Sequence, residues 1–166
     1  MAYDAFLKLD GIDGEVSAST GFEKWIEVMS FSWGESNAGT SASGGGGGAG
    51  KVSFQDLHFT TGLSKASPLL FLKCATGEHI ATGQLVCRKA GGDASGANGG
   101  SVFLKYELED VIISSFQQAG AEQGDDRPAE DVSLNFTKIE FIYTPPDGTS
   151  PVEAGWDVRA NSPFAP

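Results

Sequence analysis

Residues 102–115 read VFLKYELEDVIISS, and the pattern of this stretch indicates a β fold. Apolar side chains occupy the even positions as far as Leu108 and the odd positions from Val111 onward. A period of two is typical of a strand with one buried face, and a shift by one residue turns every later side chain to the opposite face. We therefore predict one long strand with a β-bulge near Asp110, a feature that helps a sheet to curve into a barrel.

The same period of two recurs along much of the chain. Residues 132–143 also change phase, which predicts a second bulge near Lys138. Alternation in residues 3–9 and 152–160 predicts strands with one wet face at both ends of the chain. Further strands are predicted at 22–33, 52–61 and 80–88. The predicted fold is therefore mainly β, a small closed or nearly closed barrel of antiparallel strands.

One segment carries the signals of a helix. Ser67 is a suitable N-cap, Pro68 fits the first helical position and Gly77 is a typical C-terminal stop, which predicts a helix over 67–76. The helix is apolar almost all the way round, and Lys73 is its one charged residue. We expect such a helix to pack against an end of the barrel or against a partner subunit.

Three segments without bulky apolar residues are predicted to be long loops, at 36–50, 91–101 and 119–131. Loops of this length in a compact β domain are usually functional or disordered. Within the first loop, residues 45–51 read GGGGAGK and approach the pattern of a phosphate-binding loop. Val52 stands where a magnesium-binding hydroxyl would be, and a strand pattern follows instead of a helix. The segment therefore predicts a connecting loop rather than a nucleotide site.

Composition excludes several classes of function. The 166 residues suit one domain, and 22 acidic against 11 basic residues give a formal net charge of −11. This charge argues against nucleic-acid binding and against adhesion to anionic membranes, because both require Lys and Arg. No run approaches the roughly 18 apolar residues of a membrane-spanning helix. The N-terminal residues MAYD lack the basic and apolar regions of a signal peptide, so we expect synthesis in the cytoplasm without a cleaved signal.

The sequence offers no catalytic or metal-binding constellation. His58 and His79 are its two histidines, and Cys74 and Cys87 lie at none of the spacings of a zinc site. A nucleophile elbow of the form G-x-S-x-G is also missing from the sequence. We therefore expect neither an enzyme nor a bound cofactor or metal.

Several short motifs, taken in order, resemble one known family. They are FSWG at 31–34, GKV at 50–52, the stretch 55–60, the helix and its flank at 67–79, RKAGG at 88–92, residues 111–115, GDDR at 124–127, VSLNF at 132–136 and GWDVRAN at 155–161. On these motifs the sequence resembles the haemolysin-coregulated protein (Hcp) family, the tube subunits of bacterial type VI secretion systems. The resemblance spans nearly the whole chain.

The resemblance carries expectations about fold, assembly and function. It implies a single barrel domain over residues 1–166 with one flanking helix, and six-subunit rings that stack into a hollow tube. In that family a contractile sheath drives the tube and its spike out of the cell, and the lumen can carry and protect small effector proteins. The resemblance therefore implies a structural protein that reaches the extracellular space or a target cell.

The resemblance also suggests roles for particular residues. Ser32 matches a family position that faces the lumen, and the loop 36–50 matches an extended loop that reaches a neighbouring subunit or ring. The residues carried over from that loop are Gly44, Gly45, Gly46, Gly47, Gly48, Gly50 and Lys51. Because glycine-rich loops lose much entropy when they become ordered, we expect contacts between rings to be weaker than the contacts that close a ring.

Two other functions fit the same residues. One is the tube subunit of a phage tail or of an extracellular contractile injection machine, which differs from a secretion tube in its genomic neighbours. The other is a monomeric barrel that binds a small ligand in an apolar cavity. A monomeric mass would favour that second function.

Overall fold

The computed structural model describes residues 3–17, 21–39, 50–89, 101–122, 124 and 126–165. Within these ranges the chain forms twelve strands and one helix. In chain order they are β1 (Tyr3–Leu9), β2 (Ile26–Val28), β3 (Ser30–Ser32), β4 (Glu35–Asn37), β5 (Val52–Phe54), β6 (Leu57–Gly62), α1 (Ser67–Thr76), β7 (Ile80–Lys89), β8 (Val102–Ala119), β9 (Ala129–Asn135), β10 (Lys138–Tyr143), β11 (Val152–Asp157) and β12 (Ser162–Phe164). The fold is mainly β with one helix, as the sequence predicts.

The strands are antiparallel; ten of them form two sheets that share β8, and β4 and β5 pair as a separate two-stranded sheet. Sheet A has the order β12-β11-β10-β8-β7-β1-β2, and sheet B has the order β3-β6-β9-β8. Between β2 and β3 the chain leaves sheet A and enters sheet B, where the backbone N–H of Met29 donates to the carbonyl of Thr60 at 2.8 Å. The strands therefore form a nearly closed barrel, and β10 to β12 extend sheet A beyond it.

The alternation of β1 shows why these segments become strands. Ala5, Leu7 and Leu9 point into the core, whereas Asp4 and Lys8 are exposed on the other face. Phe6, between these two, is buried on the other face against Phe22 and Arg88. β1 pairs with β7 along its whole length, so one face of the ladder can be buried in the core. The barrel interior is apolar; its largest fully buried apolar side chains are Phe59, Leu7, Leu9, Ile26, Leu57, Leu70, Leu85, Leu108, Ile113, Leu134 and Val111.

The phase change within β8 is real, but its geometry differs from the prediction. The buried residues have even numbers up to Leu108 and odd numbers from Val111. Asp110, which lies between them, has a positive φ of 52°. This left-handed conformation is one that Asp tolerates better than most residues. The register shift lies between Ile113 and Ser115, so the predicted bulge position at Asp110 is wrong.

The second predicted bulge, near Lys138, is also wrong. The chain leaves sheet B after Asn135 and begins to pair with β8 in sheet A at Lys138. The phase change in the sequence therefore marks a change of sheet, because the two strands bury opposite faces. The predicted strand over 22–33 divides into β2 and β3 for the same reason, and the predicted strand over 52–61 divides into β5 and β6.

Two predicted loops are shorter than expected. Residues 36 and 37 belong to β4, where Asn37 pairs with Val52. At the other loop, Ala119 pairs with Ala129, so β8 and β9 take residues from both ends of 119–131. Backbone hydrogen bonds extend these ladders past the apolar residues, which the side-chain pattern cannot show. Of the third predicted loop, residues 91–100 lie outside the described residues.

The helix has the predicted bounds, Ser67–Thr76, but a different N-terminus. Ala66 occupies the cap position without a side-chain hydrogen bond, so the prediction of Ser67 as N-cap is wrong. The Ser67 hydroxyl instead donates to Oε1 of the buried Glu130 at 2.7 Å. Gly77 ends the helix as predicted, with φ of 69° and its N–H donating to the carbonyl of Lys73 at 3.0 Å.

Candidate assembly surfaces

Ser32, the predicted lumen residue, is exposed at the end of β3 and pairs directly with His58 on β6. His58 pairs in turn with Ser133 on β9, and Ser133 pairs with Ser115 on β8. The Ser115 hydroxyl donates to Oγ of Ser133 at 2.7 Å, and this Oγ also lies 2.7 Å from Nδ1 of His58. The register thus places four hydrogen-bonding side chains in one row across sheet B.

A second row runs beside the first, two residues along each strand. It contains Ser30, Thr60, Asp131 and Gln117, and the Oγ of Ser30 lies 2.7 Å from Oγ1 of Thr60. Together the two rows form what we call the polar face of sheet B. The polar face consists of Ser30, Ser32, His58, Thr60, Ser115, Gln117, Asp131 and Ser133.

The opposite side of the same strands is apolar. Phe59, Leu134 and Val132 alternate with the residues of the polar face and are completely buried in the core. Because side chains of a strand alternate between its two faces, burial of these residues fixes the polar face outward. The face is built from small or uncharged side chains, and Asp131 is its one carboxylate.

The strands β4 and β5, which form an antiparallel hairpin, flank the glycine-rich segment. The side-chain amide of Asn37 donates to the carbonyl of Gly50 at 2.9 Å, which ties the two strands of the hairpin together. A Cβ added at Gly50 would lie 2.8 Å from the carbonyl oxygen of Ala38, so this position requires glycine. Lys51 follows and is exposed. Gly44, Gly45, Gly46, Gly47 and Gly48 lie outside the described residues.

Aromatic side chains anchor the hairpin to the barrel. Trp33 stacks on Phe54 with ring centroids 6.4 Å apart, and its ring meets Tyr106 of β8 edge-on at 5.5 Å. Phe54 also contacts Phe136 edge-on at 5.8 Å. Such contacts fix the angle at which the hairpin leaves the barrel.

A groove of about 620 Å³ lies between the hairpin and the extension of sheet A. Its lining is Trp33, Glu35, Ser36, Asn37, Val52, Phe54, Ile139, Phe141, Ala154, Gly155 and Trp156. The alternation of β11 predicts that Val152 and Ala154 are buried, yet both are exposed, Val152 to 67%. This strand reaches beyond the barrel, so part of its apolar face has no cover in the described part of the chain.

The helix α1 is covered on one side only. Leu70 is fully buried against the barrel, whereas Phe71 is 59% exposed and Leu72 is 52% exposed. Leu69 is also exposed, and the Phe71 ring touches Phe116 of β8 edge-on at 6.4 Å. The helix therefore packs against the barrel and still presents an apolar surface to its surroundings.

The outer face of sheet A differs from the polar face of sheet B because it carries long charged side chains. Glu107 on β8 and Glu140 on β10 are directly paired. Burial and the neighbouring Glu107 carboxylate raise the pKa of Glu140. Lys105, 2.8 Å away, lowers the pKa of Glu107, and the amide of Gln84 also donates to this carboxylate at 3.0 Å.

Asp110 links four parts of the chain at the junction of the two sheets. Its Oδ1 lies 2.5 Å from Nδ1 of His79, and its Oδ2 accepts hydrogen bonds from Thr137 at 2.9 Å and Arg159 at 3.3 Å. These partners, His79 first, lower the pKa of Asp110. Within the described ranges, no group of three or more His, Cys, Asp or Glu side chains is placed to hold a metal ion. No helix among the described residues has the length and apolar character needed to cross a membrane.

Comparison with known proteins identifies the family. Residues 6–143 match the family model described as type VI secretion system effector, Hcp. The chain is 40% identical to Protein hcp1 of Pseudomonas aeruginosa, an alignment that covers 97% of this chain and 98% of that protein. The chain belongs to the Hcp family. It is therefore a type VI secretion tube subunit, and its family is one of structural, secreted proteins.

Solved Hcp structures share this fold. The chain is similar to Hcp1 from Salmonella typhimurium, with 35% identity and a TM-score of 0.79 over 99% of this chain and 100% of that one. A second structure, of a type six secretion system protein, has 30% identity and a TM-score of 0.86 over 98% and 99% of the two chains. The sequence resemblance to the Hcp family is thus confirmed.

In this Hcp-family chain, the sequence motifs identified Ser32 but missed its partners in the polar face. His58 and Ser133 occupy the outward phase of their strands, and this alternation is a signal that could have found them. Ser115 shares the odd phase of the buried Val111 and Ile113, and only the register shift between Ile113 and Ser115 turns it outward. The contact of His58, Ser133 and Ser115 across three strands depends on a register that no single strand encodes. The apolar groove was also missed, because Phe141 and Ala154 have the pattern of core residues.

Proposed function

We propose that six copies of this chain form a ring whose lumen is lined by the polar face of sheet B. The row Ser32–His58–Ser133–Ser115 carries the proposal, because hydrogen bonds join its last three side chains and the row contains no carboxylate. A channel through which a protein must pass requires a wall that water hydrates and to which the passing protein does not bind tightly. A wall of mutually bonded hydroxyls meets this requirement better than an apolar or strongly charged surface does.

In this proposal the β4–β5 hairpin carries the glycine segment to a neighbouring subunit or ring. The Asn37–Gly50 hydrogen bond and the stacked Trp33 and Phe54 rings support it, because they hold the two strands of the hairpin together and anchor them to the barrel. Rings stack into a tube, a sheath surrounds that tube, and a spike protein caps it. The lumen holds effector proteins and catalysis has no part in the function. The chain acts as one domain over residues 1–166 and leaves the cytoplasm for the extracellular space or a target cell.

Native mass spectrometry and negative-stain imaging of the purified protein test the ring directly. We expect particles of six-fold mass with a central hole. A monomer at all concentrations would contradict the proposal and favour an isolated barrel.

Ser32→Gln tests the assignment of the lumen. The longer side chain would project from the polar face, so we expect rings of normal mass that bind fewer co-expressed small effector proteins of the same secretion system. Ser150→Gln, in the exposed turn before β11, is the matched control and should bind effectors normally. Unchanged effector binding by Ser32→Gln would show that Ser32 does not line the occupied part of the lumen.

Ionic strength tests the stacking of rings. Each subunit carries a formal charge of −11, so rings repel one another, and added salt screens this repulsion. We expect the tube fraction measured by sedimentation to rise between low salt and about 0.5 M salt. A fall in this fraction would show that ion pairs, rather than polar loops, hold the rings together.

A further inference from the structure

The two uncovered apolar surfaces lie at opposite edges of sheet B. The groove lies beside β3, because Trp33, which lines it, follows that strand by one residue. The helix lies beside β8, where Phe71 contacts Phe116. Across the sheet the order is therefore groove, β3, β6, β9, β8, helix.

Both edge strands of sheet B lack a second partner in the described part of the chain. β3 pairs with β6 on one side only. The ladder between β7 and β8 ends at Val111, so residues 112–119 pair with β9 alone. If every copy turns its polar face to a common axis, the β8 edge of one copy comes to lie beside the β3 edge of the next. The helix of the first copy then faces the groove of the second.

The chemistry of the two surfaces is complementary. Leu69, Phe71 and Leu72 form the exposed apolar side of α1, and they meet a groove whose lining is mainly aromatic and aliphatic. Few charges interrupt either surface: Lys73, the one charged residue of the helix body, pairs with Glu78 of its own chain at 2.7 Å, and Glu35 is the one charged residue of the groove lining. A volume of about 620 Å³ leaves room for two large side chains, and apolar anchors in such pockets dominate the affinity of interfaces.

We propose that copies of this chain join head to tail by inserting the exposed side of α1 into the groove of the next copy. The occupant of the groove is thus a second copy, and the proposal rests on the ring of the proposed function. The contact is heterologous, because helix and groove are different surfaces, so repetition of the same rotation can close a ring. It explains why β11 keeps an apolar face that its own barrel leaves open.

Two variants that each spoil one surface test the contact. Leu72→Asp spoils the helix and keeps the groove, whereas Ala154→Asp spoils the groove and keeps the helix. Both positions are exposed in the subunit, so we expect each variant to fold, to give a wild-type circular dichroism spectrum and to be monomeric. An equimolar mixture retains one intact helix–groove contact per pair, so native mass spectrometry should detect a heterodimer and no larger species.

The outcomes separate this contact from the ring itself. The helix–groove contact would be wrong if either variant alone formed rings. It would also be wrong if both variants folded but their mixture stayed monomeric. If the wild-type protein forms no ring, the proposed function fails before this contact is tested. Wild-type rings together with monomeric variants and a heterodimeric mixture would support both proposals.

Cross-linking gives a second test that does not depend on disrupting the fold. In a Cys74→Ser background, Leu72→Cys is combined with Ala154→Cys in the groove. The control combines Leu72→Cys with Glu153→Cys, the adjacent residue on the opposite face of β11. Under mild oxidation we expect a ladder of covalent multimers for the first pair and monomers for the second. Rings that give no ladder, or equal ladders for both pairs, would contradict the proposal.

Discussion

The two halves of β8 belong to one strand but present different chemistry to the outside. Residues 102–109 lie in sheet A and turn Lys105, Glu107 and Glu109 outward. Residues 112–119 lie in sheet B and turn Ser115 and Gln117 outward. The first half forms ion pairs and a carboxyl pair, whereas in the second half the outward Ser115 bonds to the uncharged hydroxyl of Ser133. One strand can therefore supply a charged wall on one side of a barrel and a nearly uncharged wall on the other.

This difference predicts different responses to change. The hydrogen bond between the Ser115 and Ser133 hydroxyls should depend on geometry and not on pH, because neither hydroxyl titrates. The carboxyl pair of sheet A should depend on pH, because one proton decides whether its two charges repel. Asp110, which lies between the two halves, should respond both to a change of geometry and to a change of pH.

The largest effect is expected in the hydroxyl network. Ser133→Ala removes a buried hydroxyl that contacts both Ser115 and His58, so we expect the free energy of unfolding to fall by about 1–2 kcal/mol. Urea denaturation measures this loss. Ser30→Ala, in the exposed pair with Thr60, is the control and should cost less than about 0.5 kcal/mol. Equal losses in both variants would show that burial does not set the strength of this network.

A smaller effect is expected at the junction of the two halves. Asp110→Asn keeps a residue that tolerates positive φ but removes the charge, whereas Asp110→Ala removes both advantages. We expect the melting temperature at pH 7 to decrease in the order wild type, Asn variant, Ala variant. Because folding lowers the pKa of Asp110, its contribution is present above the ordinary Asp range and is lost as pH falls through the folded pKa.

The difference between the wild type and Asp110→Asn should therefore disappear at acidic pH. Asp13→Asn, at an exposed turn, serves as the control and should follow the wild type at every pH. A difference that persists below the folded pKa of Asp110 would assign its role to shape rather than to charge.

The smallest effect is expected at the carboxyl pair, and its sign is opposite. Folding raises the pKa of Glu140, so the folded state binds this proton more tightly and loses stability as pH rises from the ordinary Glu range through the raised pKa. Glu140→Gln should then stabilise the protein at pH 7 by up to about 1 kcal/mol. At pH 4, where Glu140 is protonated, the variant and the wild type should be equally stable.

Glu109→Gln provides the matched control on the same face. Its carboxylate lies 3.5 Å from the Lys138 ammonium at an exposed site, so its loss should change stability by a few tenths of a kcal/mol at most. If Glu140→Gln destabilised the protein at pH 7, the Glu140 carboxylate would be contributing more as a hydrogen-bond acceptor than it costs through repulsion of Glu107.

The sequence alone determined the fold class, the helix Ser67–Thr76 and the strands β1 and β7. These elements follow from local rules, because alternation, the proline at the helix start and the glycine at its end act within a few residues. The motifs also determined the family, and with it the role as a tube subunit. The residue for which they predicted a lumen position, Ser32, lies on the polar face, and Gly50 is hydrogen-bonded to Asn37 of β4.

Tertiary structure decided what the local pattern could not. The phase changes near Asp110 and Lys138 predicted bulges, but the chain uses the second one to pass from sheet B to sheet A. Register across three strands, rather than any one strand, brought His58, Ser133 and Ser115 together. An apolar alternation marks a face that avoids water, but only the packed barrel shows whether its own core or another molecule covers that face. For the exposed residues of α1 and β11, the described chain offers no such cover, and this is why the sequence predicted core where the structure has surface.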